Sequence, residues 1–287
     1  MILLDGKKTS DEIKLSIKAE VDEMIAKGQR RPKLAAVLVG NDGASCTYVA
    51  NKHKACIEAG IESIVHHLPE DVSMEELLKL VAELNADDTV DGFIVQLPLP
   101  KHLDEQAVTI AINPDKDVDG FHPVNTANAS MGLPCFVSAT PQGVLALLGH
   151  YGIDTRGKNC VIIGRSNIVG RPLANLLSSK NYDCTVTLCH SRTGDVASFT
   201  RQADIVIAAV GIPHFVKADM VKEGAVVVDV GITRVKDSSE RGYHIEGDVD
   251  FDNVAPKCSY ISPVPGGVGK MTIISLLMNT VKAAKNR

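Results

Sequence analysis

The sequence contains no tryptophan, and only five tyrosines and six phenylalanines among its 287 residues. It also lacks long apolar runs: those at 34–39 and 225–230 have the length of a strand and are far too short to cross a bilayer. The first ten residues hold no apolar core of the kind that a signal peptide needs. These absences argue against export and membrane association, and we expect a cytoplasmic protein.

Cysteine pairs at C-x-x-C spacing are also absent, although the sequence has seven cysteines: Cys46, Cys56, Cys135, Cys160, Cys184, Cys189 and Cys258. Their spacing supports neither a zinc site nor a disulfide framework, so we expect reduced, packed thiols and no metal. The formal net charge of −5 argues against a dedicated nucleic-acid binder, although a local basic pocket could still hold a phosphate.

Short β-branched runs alternate with amphipathic stretches along nearly the whole chain, which predicts an α/β fold with parallel strands. The length of the chain favours two domains. In the first half we predict strands at 34–40, 61–68 and 91–97 and helices at 45–59 and 73–85. Ser73, followed three residues later by Glu76, gives the second of these helices a capping box.

The second half has the strand and helix order of a doubly wound dinucleotide-binding domain. It begins with Thr140 and Pro141, the expected N-cap and first residue of a helix at 141–151. A last amphipathic helix at 271–284 follows a glycine-rich loop and could return to pack on the first domain. Between them we predict strands at 160–164, 184–189, 204–210 and 225–231, and helices at 170–179 and near 195–202.

The clearest nucleotide-binding pattern is the strand CVIIG, which runs into GRSNIVGRPLANLL. A tight turn between a strand and a helix directs backbone N–H groups and the positive end of the helix at a phosphate. The pattern departs from G-x-G-x-x-G: Gly164 and Gly170 are present, but Ser166 replaces the second glycine and the last spacing is one residue longer. An ordinary strand–helix turn is the alternative, and the strand order around the turn favours nucleotide binding.

The end of the next strand distinguishes NAD from NADP. NAD-selective domains place a carboxylate there for the ribose hydroxyls, whereas an arginine nearby accommodates the extra phosphate of NADP. Here the strand ends in CHSRT, without a carboxylate before Asp195. Ser191 can donate a hydrogen bond to the phosphate, and Arg192 and Arg165 supply positive charge. We therefore predict NADP as the cofactor, with solvated loop arginines as the alternative interpretation.

Lys52 is a candidate acid–base group. Tyr48 and Lys52 stand four residues apart and therefore share one face of a helix. A lysine withdrawn from water can act as an acid or a base near neutral pH, and the tyrosine adds a hydroxyl group and a flat ring. A half-buried surface pair is the alternative. Lys54 is equally basic but faces elsewhere on the helix.

Two further polar positions follow in the first half. Gln96 lies at the end of the predicted strand 91–97, and open α/β sheets place their ligands at the carboxyl ends of strands. In the loop beyond it, the carboxylate of Asp119 can accept two hydrogen bonds from an amino-pyrimidine edge. For Asp115 and Asp117 a turn-forming role is the better interpretation. The spacing of the three lacks the glycine and terminal glutamate of a calcium loop.

Six motifs stand in a fixed order along the chain: Y-V-x-x-K at 48–52, G-x-x-V-Q-L-P-L-P at 92–100, K-D-V-D-G at 116–120, T-P-x-G at 140–143, G-R-S-x-I-V-G-x-P at 164–172 and P-G-G-V-G at 265–269. Together they closely resemble the bifunctional methylenetetrahydrofolate dehydrogenase/methenyltetrahydrofolate cyclohydrolase family. The resemblance covers essentially the whole chain. It implies two α/β domains flanking a cleft, the second with a Rossmann-type doubly wound parallel sheet, and a homodimer.

By this resemblance, residues 1–139 form a folate-binding catalytic domain, with the C-terminal helix 270–287 packed back on it, and residues 140–269 form an NADP-binding domain. Two reactions on tetrahydrofolate substrates are implied. Hydride passes from the methylene carbon of 5,10-methylenetetrahydrofolate to the nicotinamide. Water then opens the resulting methenyl ring to give 10-formyltetrahydrofolate.

The resemblance also implies roles for individual residues. Lys52 is the acid–base group of the hydrolytic step and Gln96 tunes it, while Tyr48 positions the folate and Asp119 binds the pterin edge. Further implied contacts to the substrate are Leu97, Pro98, Pro265, Gly266 and Gly267. Implied contacts to NADP are Gly164, Arg165 and Ser166 at the phosphates, Ser191 and Arg192 at the extra phosphate, and Ile232 near the nicotinamide. One departure is Lys270, where the family often has proline.

Three alternatives are weighed against this interpretation. Tyr-x-x-x-Lys also marks short-chain dehydrogenases, but there it follows the nucleotide fingerprint and here it precedes the fingerprint. A non-catalytic NADP-binding sensor is expected to lack Lys52, Gln96 or Asp119, and all three are present. A dehydrogenase without cyclohydrolase activity is the closest alternative, and the sequence does not exclude it.

Overall fold

The computed structural model describes residues 1–239 and 242–286. Its contacts divide the chain into two compact units. The first unit comprises Asp11–Ala139 and the chain from Ile273 onward, and the second unit comprises Met1–Ser10 and Thr140–Thr272. Each unit therefore contains segments that are distant in sequence.

The helices in these residues are α1 (Gly6–Ala26), α2 (Gly43–Glu58), α3 (Met74–Ala86), α4 (Glu105–Ala111), α5 (Pro123–Met131), α6 (Ala139–His150), α7 (Gly170–Leu177), α8 (Val196–Thr200), α9 (Phe251–Val254) and α10 (Val268–Lys285). The strands are β1 (Ile2–Leu3), β2 (Lys33–Val39), β3 (Glu62–Leu68), β4 (Gly92–Val95), β5 (Asn159–Ile163), β6 (Thr185–Cys189), β7 (Ile205–Ala208), β8 (Val226–Asp229), β9 (Thr233–Lys236), β10 (Tyr243–Glu246) and β11 (Tyr260–Ile261).

The first unit is built on a three-stranded parallel sheet in the order β3-β2-β4. The central strand β2 is buried on both faces, and its alternate residues enter two different apolar clusters. One cluster packs β2 against α1, α2 and α10, and the other packs it against α3. The strands and helices predicted for this half are confirmed to within a few residues. The predicted capping box is also present, because Ser73 and Glu76 exchange hydrogen bonds.

The second unit is built on a six-stranded parallel sheet in the order β1-β11-β8-β7-β5-β6. The predicted doubly wound arrangement is confirmed, because the strand order reverses on the two sides of β5. Strands β9 and β10 form a separate antiparallel hairpin. We predict residues 1–139 as the first domain, but β1 pairs with β11, which brings Met1–Ser10 into the second unit.

The two helices at the ends of the second unit differ from their predicted starts. Helix α6 begins at Ala139, so Thr140 lies inside it and is not its N-cap; the Thr140 hydroxyl instead pairs with the Thr272 hydroxyl at 3.2 Å. Helix α10 begins at Val268, three residues before the predicted start. Further along α10, the Asn279 side chain donates to the carbonyls of Val118 and Val137, both at 2.9 Å, which fixes this part of the helix in the first unit.

Candidate functional site

Lys52 and Gln96 are in direct contact within the first unit. Helix α2 begins after Asp42, whose carboxylate caps the N–H of Ser45, and it carries Lys52 with only 6% of that residue exposed. The Lys52 ammonium donates to Gln96 Oε1 at 3.1 Å. Gln96 follows β4 directly and donates through Nε2 to the carbonyl of Leu97 at 2.6 Å, so its amide oxygen faces the lysine. The two residues are therefore held together at the carboxyl end of β4.

The neighbours of Lys52 on α2 show which helix face carries the site. Tyr48, one turn before Lys52, is half-buried. Lys54 has a side chain that is 77% exposed and lies 3.9 Å from Glu58. The prediction that Lys54 faces away from Lys52 is confirmed, and only one of the two lysines is withdrawn from water.

Asp119 is a second buried ionisable group of the first unit. Burial raises the pKa of its carboxyl above the ordinary value, and the nearby charge of Lys52 opposes that shift. Among residues 1–239 and 242–286, no hydrogen-bond donor reaches this carboxylate. Gly120 follows with a φ of +70° and packs so tightly against residues 136–138 that a side chain would not fit. The glycine therefore fixes the bend that holds Asp119.

Two other charged residues of this loop have structural partners. The Asp117 carboxylate accepts from the His122 N–H at 2.8 Å and from Asn125 Nδ2 at 3.0 Å. The buried Lys116 ammonium donates to the carbonyls of Leu84 and Asp87. These contacts agree with a turn-forming role for Asp117. Asp115 is exposed, and among the described residues Asp119 is the buried carboxylate of this loop that no donor reaches.

The turn after β5 has the form of a phosphate-binding loop. Gly164 has a φ of +118°, and a Cβ at this position would overlap the Ala209 carbonyl. A Cβ on Gly170, at the start of α7, would in turn overlap the Gly164 carbonyl. Ser166 replaces the middle glycine and accepts through Oγ from the N–H groups of Val169 at 3.2 Å and Gly170 at 3.4 Å. The serine hydroxyl therefore accepts from two N–H groups at the start of α7, whose N-cap residue Val169 makes no side-chain cap bond, and it holds the turn together without the middle glycine.

The loop after β6 exposes Ser191 and Arg192, and Arg165 is exposed on the turn after β5. The two loops are adjacent, since the Gly164 N–H donates to the carbonyl of Cys189 at 2.9 Å. Asp195, the first carboxylate after β6, accepts from the Ser198 N–H as the N-cap of α8. A side chain committed to this cap is not offered to a ribose, so the loop presents positive charge instead.

The remaining predicted contacts lie on three other loops. Ile232 follows β8 and is 44% exposed. Leu97 and Pro98 directly follow Gln96 in the first unit and are joined by a cis peptide bond. Pro265, Gly266 and Gly267 lie between β11 and α10 in the second unit. The described residues bring together no group of three or more His, Cys, Asp or Glu side chains that could hold a metal ion. In that same part of the chain, no helix has the length and apolar character needed to cross a membrane.

Two buried carboxylates of the second unit, Asp229 and Asp248, are not among the site residues predicted from the sequence. Asp229 is the last residue of β8, and Asp248 follows β10 by two residues. A carboxylate that ends a run of valines is a detectable pattern, because Asp is rarely buried without partners.

A doubly wound parallel sheet with a glycine-dependent turn defines a dinucleotide-binding protein, here joined to an α/β unit that carries a buried lysine–amide pair. Two family models match the chain: "Tetrahydrofolate dehydrogenase/cyclohydrolase, catalytic domain" over residues 4–119 and "Tetrahydrofolate dehydrogenase/cyclohydrolase, NAD(P)-binding domain" over residues 138–287. The chain belongs to the tetrahydrofolate dehydrogenase/cyclohydrolase family.

Individual relatives match over the full length. Bifunctional protein FolD of Bacteroides thetaiotaomicron is 59% identical over 288 residues, which cover 99% of this chain and 98% of that protein. The crystal structure of the bifunctional FolD methylenetetrahydrofolate dehydrogenase/cyclohydrolase from Campylobacter jejuni is 52% identical, with a TM-score of 0.95 over 100% of this chain and 99% of that one. The Trypanosoma brucei dehydrogenase-cyclohydrolase, solved with NADP cofactor and an inhibitor, is 38% identical, with a TM-score of 0.94 over 100% of this chain and 98% of that chain.

Proposed function

We propose that this protein oxidises 5,10-methylenetetrahydrofolate to 5,10-methenyltetrahydrofolate with NADP⁺ and then hydrolyses the product to 10-formyltetrahydrofolate. The observation that carries the proposal is the hydrogen bond of 3.1 Å between the buried Lys52 ammonium and Gln96 Oε1, in the region that matches the family's catalytic domain. Hydride loss depends mainly on positioning, whereas ring opening needs a group that moves a proton. Lys52 is the group suited to that second task.

In the hydrolytic step, a water oxygen forms a bond to the methenyl carbon, and one ring C–N bond then breaks. The uncharged amine of Lys52 takes one proton from the attacking water and delivers it to the departing ring nitrogen. The second water proton leaves to solvent as the hydroxyl becomes the formyl C=O, and it carries away the positive charge of the methenyl cation. Gln96 orients the lysine through its amide oxygen. Tyr48, on the same face of α2, stacks against the folate and positions it.

Asp119 binds the pterin edge under this proposal. Two N–H donors of an amino-pyrimidine fit a carboxylate, and Asp119 lacks such donors among the residues that the structure describes. Leu97, Pro98, Pro265, Gly266 and Gly267 complete the contacts to the folate. Lys52, Gln96, Tyr48 and Asp119 all lie in the first unit, which we take as the folate-binding catalytic domain. We take the second unit, which carries Pro265, Gly266 and Gly267, as the NADP-binding domain.

The second unit fits NADP on two structural grounds. The close approach of Gly164 and Gly170 leaves room for a ligand against the backbone, and Asp195 is committed to capping α8. Gly164, Arg165 and Ser166 hold the phosphates, Ser191 and Arg192 hold the extra phosphate, and Ile232 lies at the nicotinamide end. When bound, NADP⁺ supplies the hydride acceptor of the first reaction.

We also infer a cytoplasmic homodimer. The seven free cysteines support a reducing compartment, and the family resemblance supports the dimer. Size-exclusion chromatography with light scattering tests the oligomeric state.

The decisive experiment pairs two assays. Protein, methylenetetrahydrofolate and NADP⁺ are mixed, and the absorbance of reduced nicotinamide is followed, with NAD⁺ in a parallel reaction. In the second assay, the decay of methenyltetrahydrofolate is followed without nucleotide. Activity in both supports the bifunctional enzyme, activity in the first alone identifies a dehydrogenase only, and activity in neither rejects the proposal.

A further inference from the structure

Three consecutive backbone N–H groups in the loop after β7 point at one buried carboxylate. Val210 and Gly211 donate to Asp248 Oδ2 at 2.6 and 3.0 Å, and Ile212 donates to Asp248 Oδ1 at 2.9 Å. Asp248 is fully buried. Hydrogen bonds to an ionised acceptor are the stronger ones, so this side chain dictates the shape of the loop.

A second carboxylate holds the first in place. Asp229, at the end of β8, accepts from the N–H groups of Gly231 at 2.9 Å, Asp248 at 3.0 Å and Val249 at 2.9 Å. Its own N–H donates to the hydroxyl of the buried Ser262 at 2.7 Å. The chain of contacts therefore runs from β8 through Asp229 to Asp248, and from Asp248 to the loop after β7.

Two glycines allow this arrangement. A Cβ on Gly231 would overlap the Asp248 carboxylate, and a Cβ on Gly247 would overlap the Asp229 carboxylate. The backbone approaches both acids more closely than any residue with a side chain would permit. The two acids and two glycines thus form one packed cluster, which we name the carboxylate frame (Asp229, Gly231, Gly247 and Asp248).

The carboxylate frame lies at the ligand-binding edge of the second sheet. The strand order reverses between β5 and β7, and ligands of doubly wound sheets bind outside the carboxyl ends of the strands at this point. The loop after β7 touches the phosphate-binding turn, since Gly164 packs against the Ala209 carbonyl. Ile212 and Ile232, on the loops after β7 and β8, are 52% and 44% exposed.

Free N–H groups at such a position would form an anion site. Here Asp248 occupies all three, so the loop after β7 offers no N–H cluster to a phosphate and presents the side chain of Ile212 instead. An apolar surface of this kind fits the flat face of the nicotinamide ring better than it fits the anionic pyrophosphate. The chemistry of the loop therefore matches the reacting end of the cofactor.

We propose that Asp248 and Asp229 are positioning residues for the dehydrogenase step: they fix the loops after β7 and β8 in the shape that receives the nicotinamide end of NADP. This inference rests on the proposed function. Neither acid touches the cofactor, and both act through the backbone that they hold. The proton-transfer group Lys52 lies in the other unit, so we expect changes in the carboxylate frame to affect nucleotide-free hydrolysis much less than NADP binding.

The test separates the two activities in variants of the full-length enzyme. Asp248→Asn keeps the size of the side chain but replaces one acceptor oxygen with an N–H donor, which faces the loop N–H groups. Gly231→Ala leaves the charge of Asp248 in place, but the added methyl group overlaps the Asp248 carboxylate and displaces it. We expect each variant to raise the KM for NADP and the dissociation constant measured by calorimetry about tenfold or more. The rate of nucleotide-free methenyltetrahydrofolate decay should stay within about twofold of the wild-type rate. A merely structural role of these residues would lower both activities equally.

Two matched controls belong to the same unit. Asp252→Asn removes an exposed carboxylate on α9, and Gly149→Ala adds a methyl group on α6 where nothing lies within 4 Å. Both should behave as wild type. A KM for NADP within about threefold of wild type in Asp248→Asn and Gly231→Ala overturns the inference, and so does a parallel loss of hydrolysis. If wild type itself fails to reduce NADP⁺ with methylenetetrahydrofolate, the proposed function has failed instead.

Discussion

The two candidate sites are built in opposite ways. The site in the first unit consists of side chains withdrawn from water, with Lys52 6% and Asp119 8% exposed. The site in the second unit consists of backbone and glycine, and its arginines and Ser191 are exposed. Proton transfer needs a shielded group with controlled solvation, whereas a dinucleotide is held largely by N–H groups and by close approach of the chain. The two activities should therefore respond to different kinds of mutation.

The largest expected effect comes from removing the proton-transfer group. Lys52→Met should lower cyclohydrolase turnover by roughly 10²–10⁴-fold, which is the range that a positioned acid–base group contributes. The dissociation constant for NADP should not change, because Lys52 belongs to the other unit. Methenyltetrahydrofolate decay and nucleotide titration measure the two quantities. Lys54→Met is the matched control, since its ammonium is exposed on the same helix. Retained hydrolysis in Lys52→Met would remove the lysine from the mechanism.

The opposite pattern, impaired NADP binding with retained hydrolysis, is expected when a methyl group is added to the nucleotide-binding turn. In Gly164→Ala, the Cβ meets the Ala209 carbonyl and the residue is held at a φ of +118°. Strain of this kind costs about 1–3 kcal/mol, so the KM for NADP should rise roughly tenfold to a hundredfold. Hydrolysis without nucleotide should persist. Gly149→Ala again serves as the control. If hydrolysis falls as far as dehydrogenation, the two sites are not independent and the comparison fails.

A smaller effect is expected from the exposed side chains of the second unit. The double variant Ser191→Ala/Arg192→Ala should lower the ratio of kcat/KM for NADP to that for NAD about tenfold, because only NADP carries the phosphate that these residues are expected to contact. The rate with NAD should change little. Arg156→Ala is a suitable control, since this exposed arginine pairs with Asp154 in the same unit. An unchanged ratio would transfer the specificity to Arg165 or to the backbone.

Sequence periodicity predicted most strands of the two parallel sheets and most of the helices that pack on them. The turn with Gly164 and Gly170 indicated the nucleotide site. Local patterns could not show how deeply Lys52 is buried, because that depends on which face of α2 packs against the sheet. They also could not assign β1 to the second sheet, since it pairs with β11 at the other end of the chain. Pairings between distant segments leave no periodic pattern near either partner.

Two individual errors have local causes. Thr140 is a residue type that often serves as an N-cap, but α6 starts at Ala139, one residue before it. The Thr140 hydroxyl contacts the Thr272 hydroxyl instead. Propensity describes what a residue can do, and tertiary contact decides what it does. The sequence analysis also overlooked Asp229 and Asp248, since an aspartate after a strand normally indicates a turn. Only the fold shows that loops from two strands converge on these carboxylates.

The smallest predicted effect is a pH dependence of the second site. Burial, together with the like charge of Asp248, raises the pKa of Asp229 to about 6, against the opposing hydrogen bonds from three backbone N–H groups. Below that pH the Asp229 carboxyl is protonated. One of its oxygens then carries a proton and can no longer accept a hydrogen bond from the backbone N–H groups around it. The KM for NADP should therefore rise a few-fold, on the order of one hydrogen bond, as the pH falls from 7 to 5.

The same titration has the opposite sign for folding. Between the ordinary pKa and the raised one, the folded protein binds more protons than the unfolded chain, so the contribution of Asp229 to the free energy of unfolding decreases as the pH rises through this window. As the pH falls, cofactor binding should weaken while the contribution of Asp229 to stability increases, so protonation of Asp229 does not raise the KM by unfolding the protein. The phosphate of NADP titrates in the same range but is common to all variants. The rise in KM between pH 7 and pH 5 should therefore be smaller in Asp229→Asn than in wild type and Asp252→Asn, both of which retain the Asp229 contribution. An equal rise in all three proteins assigns the titration to another group.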